Sequence, residues 1–338
     1  MTTNACGLDC SRCPALARCG GRSNFCRLGT CDDCAADPLM RMDTRSRVIE
    51  HLGGLGLGWH RPVAHPRLPQ LPDHVPVLVQ AYADQVDLPW IALHGGRVLG
   101  VTGRQVTAKH LRPIRDVYRL APETRVALQL YVEDRVLEGL WAERRRLVPQ
   151  IASMGFDLVL TPNFSVWRDR SRFEAITQQR RAAVLYHELV EAGACAVPDV
   201  GWAVFEPDGR LWAEWISSQP DLGAVSIFCG GRKIHAELRA HRENVEDIAV
   251  FHRAVRTDVT FILGGVHAPA RLADYRRAAP GRRLVVVNGM AYSLAQRRRL
   301  LTPSPRGVAR SARECFLLNS AANDAAYRVA LNPSGVAA

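Results

Sequence analysis

The sequence predicts an α/β fold, a (β/α)8 TIM-barrel-like domain preceded by a small cysteine-rich metal-binding module. Three observations lead there. From about residue 75 onward, short runs of valine, isoleucine and leucine alternate with longer amphipathic stretches. That is the pattern of a parallel sheet whose crossovers are helices. About eight such runs fall within roughly 230 residues, close to what a closed eight-fold barrel needs. Seven of the ten cysteines lie between Cys6 and Cys34, a sharp change of composition that marks a separate unit. A doubly wound open sheet is the alternative arrangement of the same elements.

The first unit is residues 1–38. Its spacing is Cys6-x3-Cys10-x2-Cys13-x5-Cys19-x6-Cys26-x4-Cys31-x2-Cys34. Gaps this short let thiolates converge on one ion or cluster, and metal binding then supplies folding energy that so small an apolar content cannot. No secretory signal is visible at the start and no apolar run reaches the length of a membrane span. A cytosolic setting is expected, where dense cysteine points to metal rather than disulfides. An iron–sulfur cluster is expected ahead of zinc. Cys26-x4-Cys31-x2-Cys34 matches the ligand run of plant-type [2Fe–2S] proteins. The pairs Cys10-x2-Cys13 and Cys31-x2-Cys34 also fit a zinc site. Cys6-x3-Cys10-x2-Cys13 resembles the three-cysteine run of radical S-adenosylmethionine enzymes. The terminal position of the motif, and Arg12 where those enzymes carry an aromatic residue, count against that reading.

Residues 39–74 read as a helix, roughly 37–52, followed by a Gly/Pro-rich irregular linker. The barrel is expected over 75–302. Its strands lie near 76–81, 90–94, 126–132, 157–161, 195–199, 225–229, 260–264 and 284–288. Helices are expected near 106–118, 134–154, 169–193, 208–218, 234–255, 269–278 and 292–301. After Glu133, for example, Leu137, Leu140, Trp141, Leu147 and Val148 recur at helical spacing. Residues 303–338 read as a C-terminal tail packed on the outside.

Hydrophobic residues make up 47% of the chain and the formal net charge is +11, nearly all arginine. The first figure excludes wholesale disorder; the second draws the protein toward phosphate, nucleic acid or acidic partners. In a barrel the chemistry gathers where strands end. Those positions carry Glu133, Asn163, Asp199 and His267, the candidate catalytic residues. Asp199 ends a buried strand, and buried carboxylates need partners. Arg168, Asp169, Trp202, Arg232, Lys233 and Asn288 are the candidate substrate and phosphate contacts. Gly230-Gly231 and Gly264-Gly265 could form anion-holding turns. Arginine runs at 144–146, 180–181, 276–277 and 297–299 are expected to be mostly solvated helix faces.

TPNFSVWRD (161–169), an amphipathic helix containing Gln178 and Arg181, and then AVPDVGW (196–202) resemble the domain of unknown function 4417 family. Pro162, Asn163, Phe164, Ser165 and Asp169 fit its PNFS-x-x-RD pattern. Pro198, Val200 and Trp202 fit its second motif, with Asp199 where the family carries asparagine. The resemblance spans roughly 155–301. It brings no activity, but members are similar to proteins of phages, plasmids and mobile elements, which implies nucleic-acid-related work.

The functional expectation is an iron–sulfur enzyme acting on a nucleic acid or nucleotide, by a glycosidic-bond or base-modifying reaction at the strand ends. The alternatives are a radical S-adenosylmethionine-like enzyme using Cys6, Cys10 and Cys13, and a non-catalytic, zinc-stapled nucleic-acid-binding protein.

Overall fold

A computed structural model describes residues 42–58, 64–166, 172–202, 208–230, 234–302 and 310–332. Eight parallel strands form one sheet: β1 His74–Leu78, β2 Trp90–His94, β3 Arg125–Gln129, β4 Leu158–Leu160, β5 Ala196–Val197, β6 Ala224–Phe228, β7 Thr260–Gly264 and β8 Leu284–Asn288. Their order is β5-β4-β3-β2-β1-β8-β7-β6. The edges β5 and β6 meet through the parallel bridge Asp199–Ser226. There Val200 N donates to Ser226 O (2.8 Å) and Ser226 N to Pro198 O (2.9 Å). The sheet is therefore a nearly closed barrel, and the open-sheet alternative is set aside. Asp199 sits on the closing seam.

Alternation along the strands decides what fills the barrel. Val75, Val77, Ala92, Ala127, Leu158, Leu160, Val197, Ala224, Ile262, Val285 and Val287 point inward as one apolar cluster. Their neighbours Leu128, Val159, Val225, Phe261, Leu263 and Val286 face the helices. Strands buried on both faces explain why the apolar runs are continuous rather than alternating.

The surrounding helices, numbered in chain order, are α1 Met42–His51, α2 Gly95–Val98, α3 Ile114–Tyr118, α4 Asp134–Ala142, α5 Arg144–Ala152, α6 Arg172–Glu191, α7 Arg210–Ser217, α8 Ile234–Ala254, α9 Pro269–Ala278, α10 Met290–Gln296 and α11 Ala312–Leu331. No described helix is long and apolar enough to cross a membrane.

Three expectations are corrected. The helix expected over 134–154 is two helices meeting at Glu143; Arg144 Nη1 donates to Trp141 O across the break (3.3 Å). The C-terminal tail is in large part a 20-residue helix, α11, started by a Ser311–Glu314 capping box. In line with the sequence, which places no helix between the first two strands, none follows β1, and α10 and α11 pack on its outer side. Phe316 and Cys315 then complete an apolar cluster with Leu78, Ile91, Leu93, Tyr118 and Tyr292. The segment after α1 is irregular but not a loose linker. Leu52, Leu55 and Leu57 are buried, and Arg180 of α6 donates to the carbonyls of Leu52, Gly56 and Gly58 at 2.6–3.0 Å.

The arginine runs are mostly solvated, as expected, with Arg145, Arg146, Arg277 and Arg297 to Arg299 exposed, but Arg144, Arg180 and Arg181 are buried. Arg181 is buried over the rings of Phe164 and Trp141 (4.2 and 4.8 Å) while its two terminal nitrogens grip both oxygens of Glu138. Arg144 stacks on Trp141 at 4.1 Å and bonds Glu188. A guanidinium fork can stack and bond two acceptors at once, which is what lets it sit inside a helix layer.

Candidate functional site

The C-terminal ends of the strands open into a cavity of about 710 Å³. Inward-facing residues continue the barrel's alternation into it: His94 after Ala92, Tyr131 after Ala127, Asp199 after Val197, and Phe228 after Ala224. All four line the cavity. Ser226, one turn of the alternation below Phe228, lies fully buried beneath them.

Asp199 is 4% exposed. Ser226 Oγ donates to its Oδ1 (3.2 Å), and its backbone N donates to Thr161 Oγ1 (2.8 Å). The Tyr131 hydroxyl faces the same carboxyl without the geometry of a full hydrogen bond. Among the described residues no arginine or lysine lines the cavity. Burial without a cation penalises the carboxylate, and the two hydroxyls only partly offset it, so the Asp199 pKa is pushed up to about 8. At neutral pH this carboxyl holds its proton. Burial, with the Asp199 charge adding, also raises the Tyr131 phenol well above its ordinary value.

Glycines shape this floor. A methyl group at Gly264 would lie 2.3 Å from Tyr131 Cε2, and one at Gly265, whose φ is +77°, would lie 2.9 Å from Gly230 Cα. Gly230, Gly264 and Gly265 serve close packing of the β6 and β7 loops and the seating of the Tyr131 ring, while Gly231 lies outside the described residues.

Walls and rim come from the loops. Asn163 lines the cavity with its Oδ1 buried and no hydrogen-bond partner. Trp202 packs on Phe251 (centroids 5.1 Å apart) and donates from Nε1 to Asp247 Oδ2 (3.0 Å). Asn244 and Ile248 of α8 complete that side. Asp134 accepts from Ser165 Oγ at 2.7 Å. Glu133 lines the cavity at its rim: its side chain is 72% exposed and paired with Arg135 at 2.8 Å. Cys229 is a buried thiol in the wall, its pKa pushed up to about 12 mainly by burial; it is protonated and a poor nucleophile.

Of the residues expected from sequence, Asn163, Asp199, Trp202 and Glu133 meet in this cavity. Two do not. His267 is exposed and does not line it; its backbone carbonyl accepts from Tyr327 Oη at 2.9 Å. Asn288 is 1% exposed and structural: Nδ2 donates to Val266 O and Tyr327 Oη, and Oδ1 accepts from Met290 N. It staples the β8 turn to α11. Arg168, Asp169, Arg232, Lys233 and the cysteines Cys6, Cys10, Cys13, Cys19, Cys26, Cys31 and Cys34 lie outside the described residues. Among the described residues no group of three His, Cys, Asp or Glu side chains is placed to hold a metal ion. Sequence reading missed His94, Tyr131, Ser226 and Asn244. His94 and Tyr131 stand at or just past a strand end and Ser226 within β6, all three on the inward phase of the alternation. Asn244 lies mid-helix, where nothing local marks it.

No family model matches the chain. The Gene 1 protein of Mycobacterium phage D29 is 31% identical over 77 residues, which are 23% of this chain and 28% of that protein. The match thus spans under a third of the relative's length. Among solved structures, one titled native KDPGal structure covers 80% of this chain and 100% of its own, with 13% identity and a TM-score of 0.41. Orotidine 5'-phosphate decarboxylase from Pyrococcus horikoshii OT3 covers 71% and 88%, with 13% identity and a TM-score of 0.36.

Proposed function

We propose that the protein is a barrel enzyme that acts on a nucleotide or nucleic acid by acid–base chemistry, with Asp199 as the proton donor. The observation that carries this reading is the buried carboxyl of Asp199 at the floor of an open cavity that no described arginine or lysine lines. A carboxylic acid that keeps its proton at neutral pH can deliver it to a leaving group or a ring nitrogen, and then act as base in the return step. Such chemistry suits a glycosidic-bond or base-modifying reaction. Ser226 holds the carboxyl with the Tyr131 hydroxyl facing it, Asn163 and Asn244 offer amides to a base edge, and Trp202 and Phe228 offer aromatic surface. The net charge of +11 favours a polyanionic partner, and the partial match to a phage protein is in keeping with it. Phosphate contacts fall to Arg168, Arg232 and Lys233, each within three residues of cavity-lining Val166 or Gly230.

The test is a titration of the full chain with nucleoside monophosphates and short oligonucleotides, followed by tryptophan fluorescence at rising salt. Binding that weakens steeply with salt, as counterion release requires, is the expected result. No binding to any of them at low salt would contradict the substrate class.

In the same reading the N-terminal cysteines hold an iron–sulfur cluster. Anaerobically purified protein is expected to contain iron with matching acid-labile sulfide. Zinc without sulfide would make the module a structural staple instead, and neither metal would overturn the metal assignment.

A further inference from the structure

We propose that His94 is a substrate-contacting residue of this cavity, a neutral imidazole whose Nε2–H donates to an acceptor atom on the substrate. The proposal rests on reading the barrel mouth as the functional site.

The geometry begins with strand phase. His94 ends β2, two residues beyond inward-facing Ala92, and lines the same cavity as Asp199. Round the sheet, β2 and β5 are separated by β3 and β4, so the two side chains approach a bound molecule from different walls. The other described histidines near structural contacts are engaged within the protein. His65 bonds Tyr186 and Gln219, His74 bonds Asp324, His110 bonds Thr107 and Tyr118, and His187 bonds the Leu57 carbonyl. His241 bonds Asp274, and His252 accepts from Arg282. His94 makes no such bond, and it is the histidine of the cavity lining.

The ring's two nitrogens differ. Nδ1 is buried and has no hydrogen-bond partner. It lies against Gly96, where even a methyl group would come within 3.2 Å of it. A buried N–H with no acceptor is costlier than a buried lone pair on this side, because orphaned donors are the rarer defect. The proton therefore belongs on Nε2. Burial and the nearby Arg97 lower the imidazole's pKa, against a smaller opposing effect of Glu133, which keeps the ring neutral at pH 7. The cavity then presents two donors, Asp199 O–H and His94 Nε2–H, beside an acidic rim of Glu133 and Asp134. Such a lining suits an uncharged group rich in acceptors, such as the carbonyl edge of a nucleobase, with phosphate held outside it.

The experiment is a side-chain 15N–1H correlation spectrum of the full chain at pH 7, assigned with His94→Gln, and repeated with uridine as the probe. Uridine carries ring carbonyls and no phosphate. His94 is expected as the neutral Nε2–H tautomer, and its Nε2 signal is expected to move with uridine together with the Trp202 indole. His94→Ala is expected to weaken uridine binding about 10-fold. His94→Gln, which keeps a donor near the Nε2 position, stays within about 3-fold. An imidazolium or Nδ1–H form at pH 7, or a Trp202 signal that moves while His94 does not, overturns the assignment. If uridine moves neither signal, the nucleobase reading fails, and the tautomer alone decides the state of His94. Thermal melts of both variants show whether a loss of binding is a loss of folding.

Discussion

Asp199→Asn is expected to abolish turnover and, at the same time, to make the protein more stable above pH 8. Both effects come from one carboxyl. As proton donor it contributes on the order of 10²–10⁴-fold to rate, and an amide cannot replace it. Its stability effect follows from proton linkage. The folded protein keeps the Asp199 proton up to about pH 8, whereas the unfolded chain releases it near the ordinary value of 3.8. Between those limits the folded state binds more protons, so stability falls as pH rises. By about pH 8 the accumulated cost is roughly 5 kcal/mol. The neutral amide carries no such charge and still accepts from Ser226. Denaturant melts from pH 5 to pH 9 are expected to show a falling wild-type stability and a flatter variant, with the two curves diverging most at high pH. A variant that is inactive and also less stable at every pH would mean that Asp199 is a structural residue.

Arg282→Met is expected to destabilise the fold by about 3–5 kcal/mol, the cost of stripping a buried cation from its acceptors. Arg282 is 1% exposed. Nη2 donates to the carbonyls of His252 and Val255 (both 2.9 Å), and Nη1 to those of Val259 (3.0 Å) and Arg256. These are carbonyls at and just beyond the C-terminus of α8, which a helix cannot satisfy by itself. The ring of Phe261 lies 4.5 Å beneath the guanidinium. One side chain just before β8 thus ties α8 to β7, and α8 also carries Asn244 and Ile248 into the cavity. Methionine fills much of the volume but leaves the carbonyls unpaired. Lysine is expected to recover only part of the loss, since an ammonium cannot match the planar fork. Urea melts of the two variants decide it: a loss below about 1 kcal/mol would show that water replaces the guanidinium.

The barrel was legible because strands buried on both faces leave continuous apolar runs, and amphipathic stretches of the right length separate them. The strand ends were legible for the same reason, which is how Asp199, Asn163 and Trp202 came into view. Other features were hidden for physical reasons. Arg144, Arg180 and Arg181 look like a solvated helix face, yet each is drawn inward by an aromatic ring or by loop carbonyls contributed by residues distant in sequence. The role of α11 depends on the vacancy beside β1, and no local pattern records which segment fills it. His267 and Asn288 stand at strand ends like Asp199, but the side they face is set by the phase of the alternation. Asn288 follows inward-facing Val287 and so turns toward α11. The same phase turns His94 and Tyr131 into the cavity, and it becomes visible only once the inward set is known.

The proposed chemistry requires Asp199 to be a protonated acid in the resting protein. Infrared difference spectra of the full chain against Asp199→Asn, taken across a pH titration, measure this directly. A carboxylic-acid C=O band, absent from the variant, is expected to give way to a carboxylate with a midpoint of about 8. A carboxylate signal already present at pH 6 would contradict it.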